Sequence, residues 1–336
     1  MKCTDRTRRR KKRIWQLRIR IASFFIGILA VVGLVFFLLN NGGEIRKFEK
    51  TAYEKSIYQS TLFADDICVT NEEVEFKEFY RHDKFHGALL FDIEDNEVLY
   101  SESAHEQLYP ASTTKIMTAY LALKYGDMND TVTISKHAVD IPSDSSTAHL
   151  KEGDRITLLN LLYGLMLPSG NDSALAIAEH ISGSEEAFVE LMNEEAALLG
   201  ATNSHFVNPH GYQDKEHYTT AYDLYLIFKE CLKEELFIDI ISSTSKTATI
   251  TEKSGAQRTV TWGQTNQFVT GARKTPKGIT IIGGKTGNTF DAGSCLVMYG
   301  KNSSETPYIS IIMGASSKRN LYDNMTYLWN AVPTTK

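Results

Sequence analysis

The chain has 336 residues, a formal net charge of −5 and 42% hydrophobic residues, which excludes a disordered or low-complexity protein. Four cysteines are too few for a small disulfide scaffold, and the acidic charge argues against a nucleic-acid-binding protein. The length predicts one large domain or two smaller ones.

The charge is unevenly distributed along the chain. Residues 1–20 hold ten basic residues and one acidic residue, a net charge of +9, so the rest of the chain carries −14. Residues 21–39 are uncharged, and as a helix they would span roughly 28 Å, close to the thickness of the bilayer hydrocarbon. Because basic flanks stay on the cytoplasmic side, we predict a cytoplasmic tail at 1–20 and a single transmembrane signal anchor at 21–39.

A cleavable signal peptide is the alternative for this segment. Its apolar region would be shorter, about 7–15 residues, and would end at an A-x-A-like site. The run here is longer and is followed by residues 40–43 (NNGG), which hold no such site. We therefore expect a single-pass protein of the cell membrane, with its N-terminus in the cytoplasm and the rest of the chain outside. The polar residues 40–84 are predicted to be an extracytoplasmic stalk.

From residue 85 onward the patterns predict a folded domain that extends to residue 336. Strand patterns form a hairpin at 87–91 and 97–100. Residues 127–185 are predicted to be mostly helical, and the helical patterns lie at 112–125, 157–167, 171–180, 185–199 and 219–236. Later strand patterns lie at 248–251, 259–262, 279–282, 294–299 and 308–315, before a last helix at about 318–332. This order predicts an α+β fold with an antiparallel sheet.

Three short motifs occur in order: residues 112–115 (STTK), 169–171 (SGN) and 285–287 (KTG). The ordered set S-x-x-K, S-x-N and K-T-G is typical of penicillin-binding proteins and serine β-lactamases. Residues 243–246 and 253–255 imitate the first and third motifs, but they lie in a Ser/Thr-rich stretch and a polar turn. The context of each motif therefore favours the first set.

The residue types in these motifs suit nucleophilic catalysis. Ser112 and Lys115 share a helix face at i and i+3, so the amine can reach the hydroxyl and take its proton. Lysine is a base only when neutral, and burial together with a second cation, Lys285, would lower its pKa. The helix N-terminus would offer N–H groups to a developing oxyanion. Ser169 and Asn171 lie on a tight break between two helices, which suits side chains that project into a cleft.

The third motif is predicted to lie at the end of a strand. Gly283, Gly284 and Gly287 surround Lys285 and Thr286. We expect the missing side chains to let a substrate backbone approach and pair with the strand edge.

Longer segments around these motifs resemble one family, the D-alanyl-D-alanine carboxypeptidases or low-molecular-mass penicillin-binding proteins. The resemblance covers about residues 85–332. It implies the DD-peptidase and serine β-lactamase-like fold, with a five-stranded antiparallel sheet flanked by helices and an all-helical subdomain, and it makes 85–336 the catalytic domain. The segments are 109–119, 162–172, 208–211, 217–223, 284–288 and 292–296.

The resemblance also implies roles for the motif residues. Ser112 would attack the carbonyl carbon of the penultimate D-alanine and form an acyl-enzyme, with Lys115 as its general base. Ser169 would relay a proton to the departing D-alanine, and Asn171 would hold the substrate amide.

The substrate-binding strand would consist of Lys285, Thr286, Gly287 and Asn288. Lys285 and Thr286 would bind the terminal carboxylate. Backbone N–H groups of Ser112 and Asn288 would form the oxyanion hole.

The implied function is a serine-type D-Ala-D-Ala carboxypeptidase that trims peptidoglycan stem pentapeptides during cell-wall maturation. Its partners would be stem peptides that end in D-Ala-D-Ala, β-lactams that acylate Ser112, and the membrane through residues 21–39. No cofactor, metal ion or nucleic acid is expected.

Three rival functions share parts of this pattern. A DD-endopeptidase or transpeptidase would use the same acyl-enzyme. A class A β-lactamase needs a Glu for deacylation, and no E-x-x-L-N follows Ser169, since residues 194–198 lack the Asn. A non-catalytic wall-binding module is disfavoured because both Ser112 and Lys115 are present.

A zinc peptidase belongs to a different class. His82 and His86, or His205, His210 and His217, are potential ligands. Their spacing matches no helical H-E-x-x-H pair, so the zinc hypothesis is weak.

Overall fold

The computed structural model describes residues 84–334, together with Trp15 and residues 73–75. The predicted anchor at 21–39 and most of the predicted stalk lie outside the described residues. The chain divides into two compact units, Met1–Asp66 and Ile67–Lys336. In the second unit, Val74 forms an isolated antiparallel bridge with Ser101. No helix in the described part of the chain combines the length and apolar character needed to cross a membrane.

The strands of the described region agree largely with the sequence patterns, although several extend further than predicted. They are β1 (Gly87–Asp92), β2 (Glu97–Glu102), β3 (Thr131–Thr133), β4 (Arg155–Thr157), β5 (Ser245–Thr251), β6 (Gln257–Gly263), β7 (Ile279–Thr289), β8 (Gly293–Asn302) and β9 (Pro307–Ala315).

The helices lie mostly between β2 and β5. They are α1 (Lys115–Tyr125), α2 (Lys136–Val139), α3 (Leu158–Met166), α4 (Asn171–Ser182), α5 (Glu185–Leu198), α6 (Ala221–Cys231), α7 (Glu235–Ser242) and α8 (Lys318–Asn330). A 3₁₀ turn, Ala111–Thr114, precedes α1.

A five-stranded antiparallel sheet in the order β2-β1-β9-β8-β7 forms the centre of the fold. All six residues of β1 are buried. Because side chains alternate across a strand, Leu89 and Phe91 enter the large core shared with the helices, whereas Ala88 and Leu90 enter a smaller core with α8. The sheet is covered on both faces, which explains the continuous apolar runs in its central strands. The predicted α+β class and five-stranded sheet are confirmed.

A second sheet, β3-β4-β5-β6, was not predicted. The prediction that residues 127–185 are mostly helical is wrong for its first half, which holds β3, the short helix α2 and β4. Strands of three residues are too short to show a period of two.

Two predicted helices differ in detail from the structure. The pattern over 219–236 is two helices, α6 and α7, separated at residues 232–234, where the sequence LKE contains no helix-stopping residue. The helix predicted from residue 112 begins with the 3₁₀ turn, and its α-helical part starts at Lys115.

Candidate active site

Ser112 lies in the 3₁₀ turn between β2 and α1. The preceding residue, Ala111, has a φ of +48°, which is unfavourable for a residue with a side chain. Two hydroxyls hold this turn, since Thr113 Oγ1 donates to the Pro110 carbonyl (2.7 Å) and Thr114 Oγ1 to the Ala111 carbonyl (2.9 Å). The nucleophile segment is therefore a strained turn that its own threonines stabilise.

His217 supports the same turn from the loop that follows α5. Its Nδ1 accepts from the Val207 N–H (3.1 Å), and its Nε2 lies 2.8 Å from Thr114 Oγ1. Because the Thr114 hydroxyl donates to Ala111, Nε2 carries the proton and donates to Thr114. Burial lowers the pKa of His217 to about 4, which keeps the ring neutral in this arrangement.

Lys115 is fully buried and directly below the nucleophile. Its Nζ lies 3.1 Å from Ser112 Oγ, 2.7 Å from Asn171 Oδ1 and 2.7 Å from the His210 carbonyl oxygen. Burial lowers the pKa of Lys115 well below its usual value, and the nearby charge of Lys285 lowers it further. A neutral amine can donate its two N–H groups to Asn171 and His210, which directs its lone pair at Ser112.

The second motif forms a tight turn between α3 and α4. Ser169 has a φ of +66°, and Asn171 is the first residue of α4. Both side chains are buried, and Asn171 Oδ1 accepts from Lys115 of the first motif. Ser169 Oγ lies 2.9 Å from Lys285 Nζ, so this serine joins the helical side of the cleft to the sheet.

Lys285 occupies the middle of β7, not the strand end that the sequence predicted, because β7 continues to Thr289. Its Nζ donates to the Thr286 carbonyl (2.8 Å) as well as to Ser169. Burial lowers its pKa to about 7, so both protonation states are accessible near neutral pH.

The glycines of β7 have a packing role that the sequence did not predict. A Cβ on Gly287 would lie 2.9 Å from the Pro110 carbonyl oxygen and 3.0 Å from Ser112 N. A Cβ on Gly283 would lie 2.4 Å from the Ile241 carbonyl oxygen. The missing side chains therefore let the nucleophile turn and α7 pack against the strand. The predicted approach of a substrate backbone to this edge strand stays a prediction.

The far end of β7 carries polar side chains into the cleft. Thr286 Oγ1 lies 2.7 Å from Thr265 Oγ1 on the loop after β6. Asn288 accepts through Oδ1 from the Ser294 hydroxyl (2.9 Å), which fixes its side chain on the turn side of the cleft.

Asp172, the second residue of α4, organises the loop on the opposite wall. Its buried carboxylate accepts from the N–H groups of Ala148 (2.8 Å) and Leu150 (3.1 Å) and from Thr147 Oγ1 (2.6 Å). The Trp262 indole N–H also donates to the Ala148 carbonyl (2.9 Å). This carboxylate holds the loop that borders the cleft beside Ser112.

Two cavities open from Ser112, and we call them the hydroxyl arm and the acidic arm. The hydroxyl arm, about 360 Å³, is lined by Ser169, Thr265, Thr286, Gly287 and Lys318. The acidic arm, about 610 Å³, is lined by Asn171, Asp144, Tyr212, Phe290 and Asp291. Ser112, Asp144, Ser146 and Asn288 border both arms.

Six of the eight predicted site residues line one or both arms. The other two, Lys115 and Lys285, are buried beneath the cleft. Sequence analysis missed Thr265, Lys318, Asp144 and Tyr212. These four residues lie in separate segments with no shared motif, so only the fold brings them together. The imitation motifs line neither arm. Lys246, on β5, lies over the Tyr163 ring of α3, and Lys253 forms an ion pair with Glu152.

The histidines considered as zinc ligands do not converge. Among the described residues, no three His, Cys, Asp or Glu side chains are placed to hold a metal ion together. His217 uses both ring nitrogens within the protein, and His210 Nδ1 accepts from the Tyr212 N–H (3.0 Å). His82 lies outside the described residues.

Comparison with known proteins identifies similar chains. The family model described as D-alanyl-D-alanine carboxypeptidase matches residues 82–317. The chain is 36% identical over 240 residues to the D-alanyl-D-alanine carboxypeptidase DacF of Bacillus subtilis, an alignment that covers 69% of this chain and 58% of that protein. It is also 36% identical over 229 residues to a D-alanyl-D-alanine carboxypeptidase of Streptomyces sp. strain K15, covering 65% of this chain and 77% of the relative.

A solved structure shows the same fold. The crystal structure of the Streptomyces K15 DD-transpeptidase superposes with a TM-score of 0.68 at 30% identity, covering 78% of this chain and 98% of that one. The central sheet and the helices beside it are therefore those of a DD-peptidase.

Proposed function

The chain belongs to the D-alanyl-D-alanine carboxypeptidase family, and from that premise we propose that it removes the terminal D-alanine from peptidoglycan stem peptides. The observation that carries the proposal is the contact between Lys115 Nζ and Ser112 Oγ at 3.1 Å, with the lysine buried and its pKa lowered. This pair places a base against a serine hydroxyl at the junction of two cavities that together can hold a peptide.

The acylation step follows from this geometry. Ser112 Oγ attacks the carbonyl carbon of the penultimate D-alanine while Lys115 Nζ takes the hydroxyl proton. The resulting oxyanion accepts hydrogen bonds from the backbone N–H groups of Ser112 and Asn288. When the C–N bond breaks, Ser169 gives its hydroxyl proton to the leaving amine and takes one from the Lys285 ammonium, whose Nζ lies 2.9 Å from Ser169 Oγ.

The hydroxyl arm is the part of the cleft that suits the leaving D-alanine. The carboxylate of the leaving D-alanine would accept hydrogen bonds from the hydroxyls of Thr286 and Thr265, and Lys318 supplies a positive charge in the same cavity. Lys285 adds positive charge from beneath while it is protonated. The penultimate D-alanine then remains esterified to Ser112 until a water molecule attacks the ester and releases the shortened peptide.

Transfer to an amine is the second candidate reaction. It is favoured by the similarity to the Streptomyces K15 DD-transpeptidase. The two reactions share the acyl-enzyme and differ only in whether water or an amine accepts the acyl group. Adding a glycine peptide as acceptor and counting hydrolysed against transferred product distinguishes them.

We also propose that residues 21–39 anchor the protein in the cell membrane, with the catalytic domain outside. Support comes from the uncharged run and the +9 segment before it. Cell fractionation followed by protease treatment of intact cells tests this proposal. Recovery of the full-length chain in the soluble fraction would contradict it.

Labelling with a penicillin tests the catalytic proposal. The full chain is incubated with a labelled penicillin, the adduct is located by mass spectrometry, and D-alanine release from a peptide ending in D-Ala-D-Ala is measured. We expect one adduct on Ser112, and neither adduct nor D-alanine release with Ser112→Ala. Release of D-alanine by Ser112→Ala would refute the acyl-enzyme mechanism, and rapid loss of the adduct with hydrolysed penicillin would indicate a β-lactamase.

A further inference from the structure

The outer face of the four-stranded sheet β3-β4-β5-β6 carries a regular array of threonines. Side chains alternate across a strand, and Val132, Ile156 and Trp262 of the inner face enter the large core. The side chains of the intervening residues lie on the opposite face of the sheet. Six of them are exposed threonines, and we call this surface the threonine face: Thr131, Thr133, Thr247, Thr249, Thr259 and Thr261.

The strand register aligns the outer side chains in rows that cross the sheet. Paired residues of antiparallel strands lie side by side on one face. One row, which we call the cross-strand row, contains one residue from each of the four strands. Its pairs are Thr133 with Arg155, Arg155 with Thr251, and Thr251 with Gln257.

The side chains of the cross-strand row have unused hydrogen-bonding groups. Arg155 is exposed, and its guanidinium forms no hydrogen bond or ion pair with the described residues. The hydroxyls of Thr133 and Thr251 and the amide of Gln257 likewise have no partner in the described part of the chain. The row therefore offers a guanidinium, an amide and two hydroxyls to a ligand.

The threonine face is nearly uncharged, although it belongs to an acidic domain. Residues 84–334 hold 19 basic and 30 acidic residues, a net charge of −11. Among the outward positions of β3, β4, β5 and β6, Arg155 is the one charged residue. A polyanion would meet a single cation here, and a cationic partner would be attracted to the acidic surfaces instead. The charge distribution therefore favours an uncharged ligand.

A glycan of acetamido sugars has the matching chemistry. Neighbouring strands lie about 4.8 Å apart, close to the length of one sugar ring along an extended glycan, so a chain that crosses the strands meets one side chain per sugar. Threonine hydroxyls can both donate to and accept from sugar hydroxyls. The threonine methyl groups can contact the acetamido methyl, and the N–H groups of Arg155 and Gln257 can donate to the acetamido carbonyl.

We propose that the threonine face binds a glycan chain of acetamido sugars, aligned with the cross-strand row. None of the residues of the face or the row lines either arm of the cleft. The site is therefore separate from Ser112 and does not depend on the proposed function, although peptidoglycan is a polymer that contains such chains. A glycan bound there leaves the cleft open and keeps the catalytic domain on the polymer.

Sedimentation with insoluble chitin, a neutral polymer of acetamido sugars, tests the proposal with the full chain in detergent. We expect at least about fivefold more protein on chitin than on cellulose, which lacks acetamido groups, and competition by soluble chitohexaose. Retention should stay the same at high salt, because uncharged groups of the sugar make the contacts. Penicillin-treated protein and Ser112→Ala should be retained as well as the untreated wild type.

Variants identify the residues responsible. Thr133→Val together with Thr251→Val removes two hydroxyls of the cross-strand row but keeps the side-chain shape, and retention should fall about fivefold. Thr275→Val together with Thr280→Val is the matched control, since both threonines are exposed and lie outside this sheet, and it should keep the wild-type retention. Circular dichroism and D-alanine release from a soluble peptide verify that both double variants are folded.

Each remaining outcome contradicts the inference. Equal retention on chitin and cellulose, loss of retention at high salt, or equal retention of the wild type and the row variant overturns it. Retention that penicillin blocks would place the glycan in the cleft, and a dimer that chitin does not sediment would show that a second copy covers the face. Failure of the proposed function is distinguishable, because it removes the penicillin adduct and D-alanine release but leaves retention on chitin intact.

Discussion

At the residue scale, the proposed mechanism divides the acid–base work between two buried lysines, each of which contacts a different serine of the site. Lys115 contacts Ser112 and has the more strongly lowered pKa, because burial and the Lys285 charge act together. Lys285 has a pKa of about 7, lowered by burial alone. In the proposed mechanism Lys115 therefore acts as the base, and Lys285 carries a positive charge below about pH 7.

The pH dependence of kcat/KM for D-alanine release should reflect this division. The rate should rise with pH while Lys115 loses its proton, because only the neutral amine is a base. It should fall above about pH 7, because Lys285 loses its positive charge above its pKa. Loss of that charge also raises the pKa of Lys115, so the two lysines titrate as a coupled pair.

The variant Lys285→Arg assigns the falling limb. Arginine stays protonated throughout this range, so the limb near pH 7 should disappear even where the maximal rate is lower. Persistence of the same falling limb in Lys285→Arg would show that another group causes it.

Thr114 is a positioning residue for the nucleophile. Its hydroxyl joins His217 to the carbonyl of the strained residue Ala111. Thr114→Val keeps the shape but removes the hydroxyl, and a slightly displaced Ser112 should then be acylated by penicillin about tenfold more slowly. Thr114→Ser keeps the hydroxyl and should restore most of the rate, as measured by stopped-flow labelling of folded protein. Equal rates for the Val and Ser variants would exclude this role.

Helix α4 illustrates, at the scale of elements, how one helix start serves both structure and catalysis. Asn171 contacts Lys115, and the next residue, Asp172, turns away to hold the loop at 146–150. The helix therefore aligns the amine and fixes the cleft wall through two adjacent side chains.

Replacing Asp172 should destabilise this wall. In Asp172→Asn, one oxygen becomes an NH₂ group that faces the N–H groups of Ala148 and Leu150. Loss of these bonds in a buried site should cost about 1–3 kcal/mol of unfolding free energy. Urea unfolding of Asp172→Asn beside the exposed control Asp140→Asn measures the difference. A loss no greater than that of the control would contradict the assignment.

The elements also show what sequence patterns can and cannot reveal. Residues 112–115 and 169–171 were predictable because each motif is contiguous and its chemistry is local. The location of Lys285 inside β7 was not, because Gly283, Gly284 and Gly287 look like a strand end, whereas they accommodate the nucleophile turn and neighbouring backbone. The three-residue strands β3 and β4 carry too few residues for a pattern.

The cleft is a property of the whole second unit, since its walls come from distant parts of the chain. Thr265, Lys318 and Asp144 meet around Ser112 although more than 100 residues separate some of them. No local pattern marks such residues, so only the fold brings them together around Ser112.

Lys318 places a positive charge in the hydroxyl arm, and the effect of this charge on substrate choice can be measured. It is exposed, lies at the start of α8 and lines the hydroxyl arm, where we place the terminal carboxylate of the substrate. Lys318→Ala should lower kcat/KM about two- to fivefold for a peptide with a free C-terminal carboxylate, which is the range expected for an exposed ion pair. The kcat/KM for the same peptide with a C-terminal amide should not change. Lys318→Glu should reverse the preference toward the amide.

Arg319 provides the matched control, because it is adjacent and exposed, lines neither arm and lies 3.7 Å from Asp323. Arg319→Ala should retain the wild-type preference for the carboxylate peptide over the amide at every salt concentration, whereas the preference that depends on Lys318 should weaken as ionic strength rises. If Lys318→Ala and Arg319→Ala change the preference equally, the effect comes from the overall charge of the surface and not from the hydroxyl arm. If the preference is lost in Lys318→Ala alone, the charge that selects a free carboxylate lies at the first residue of α8. Selection of a free carboxylate in turn favours carboxypeptidase over endopeptidase activity.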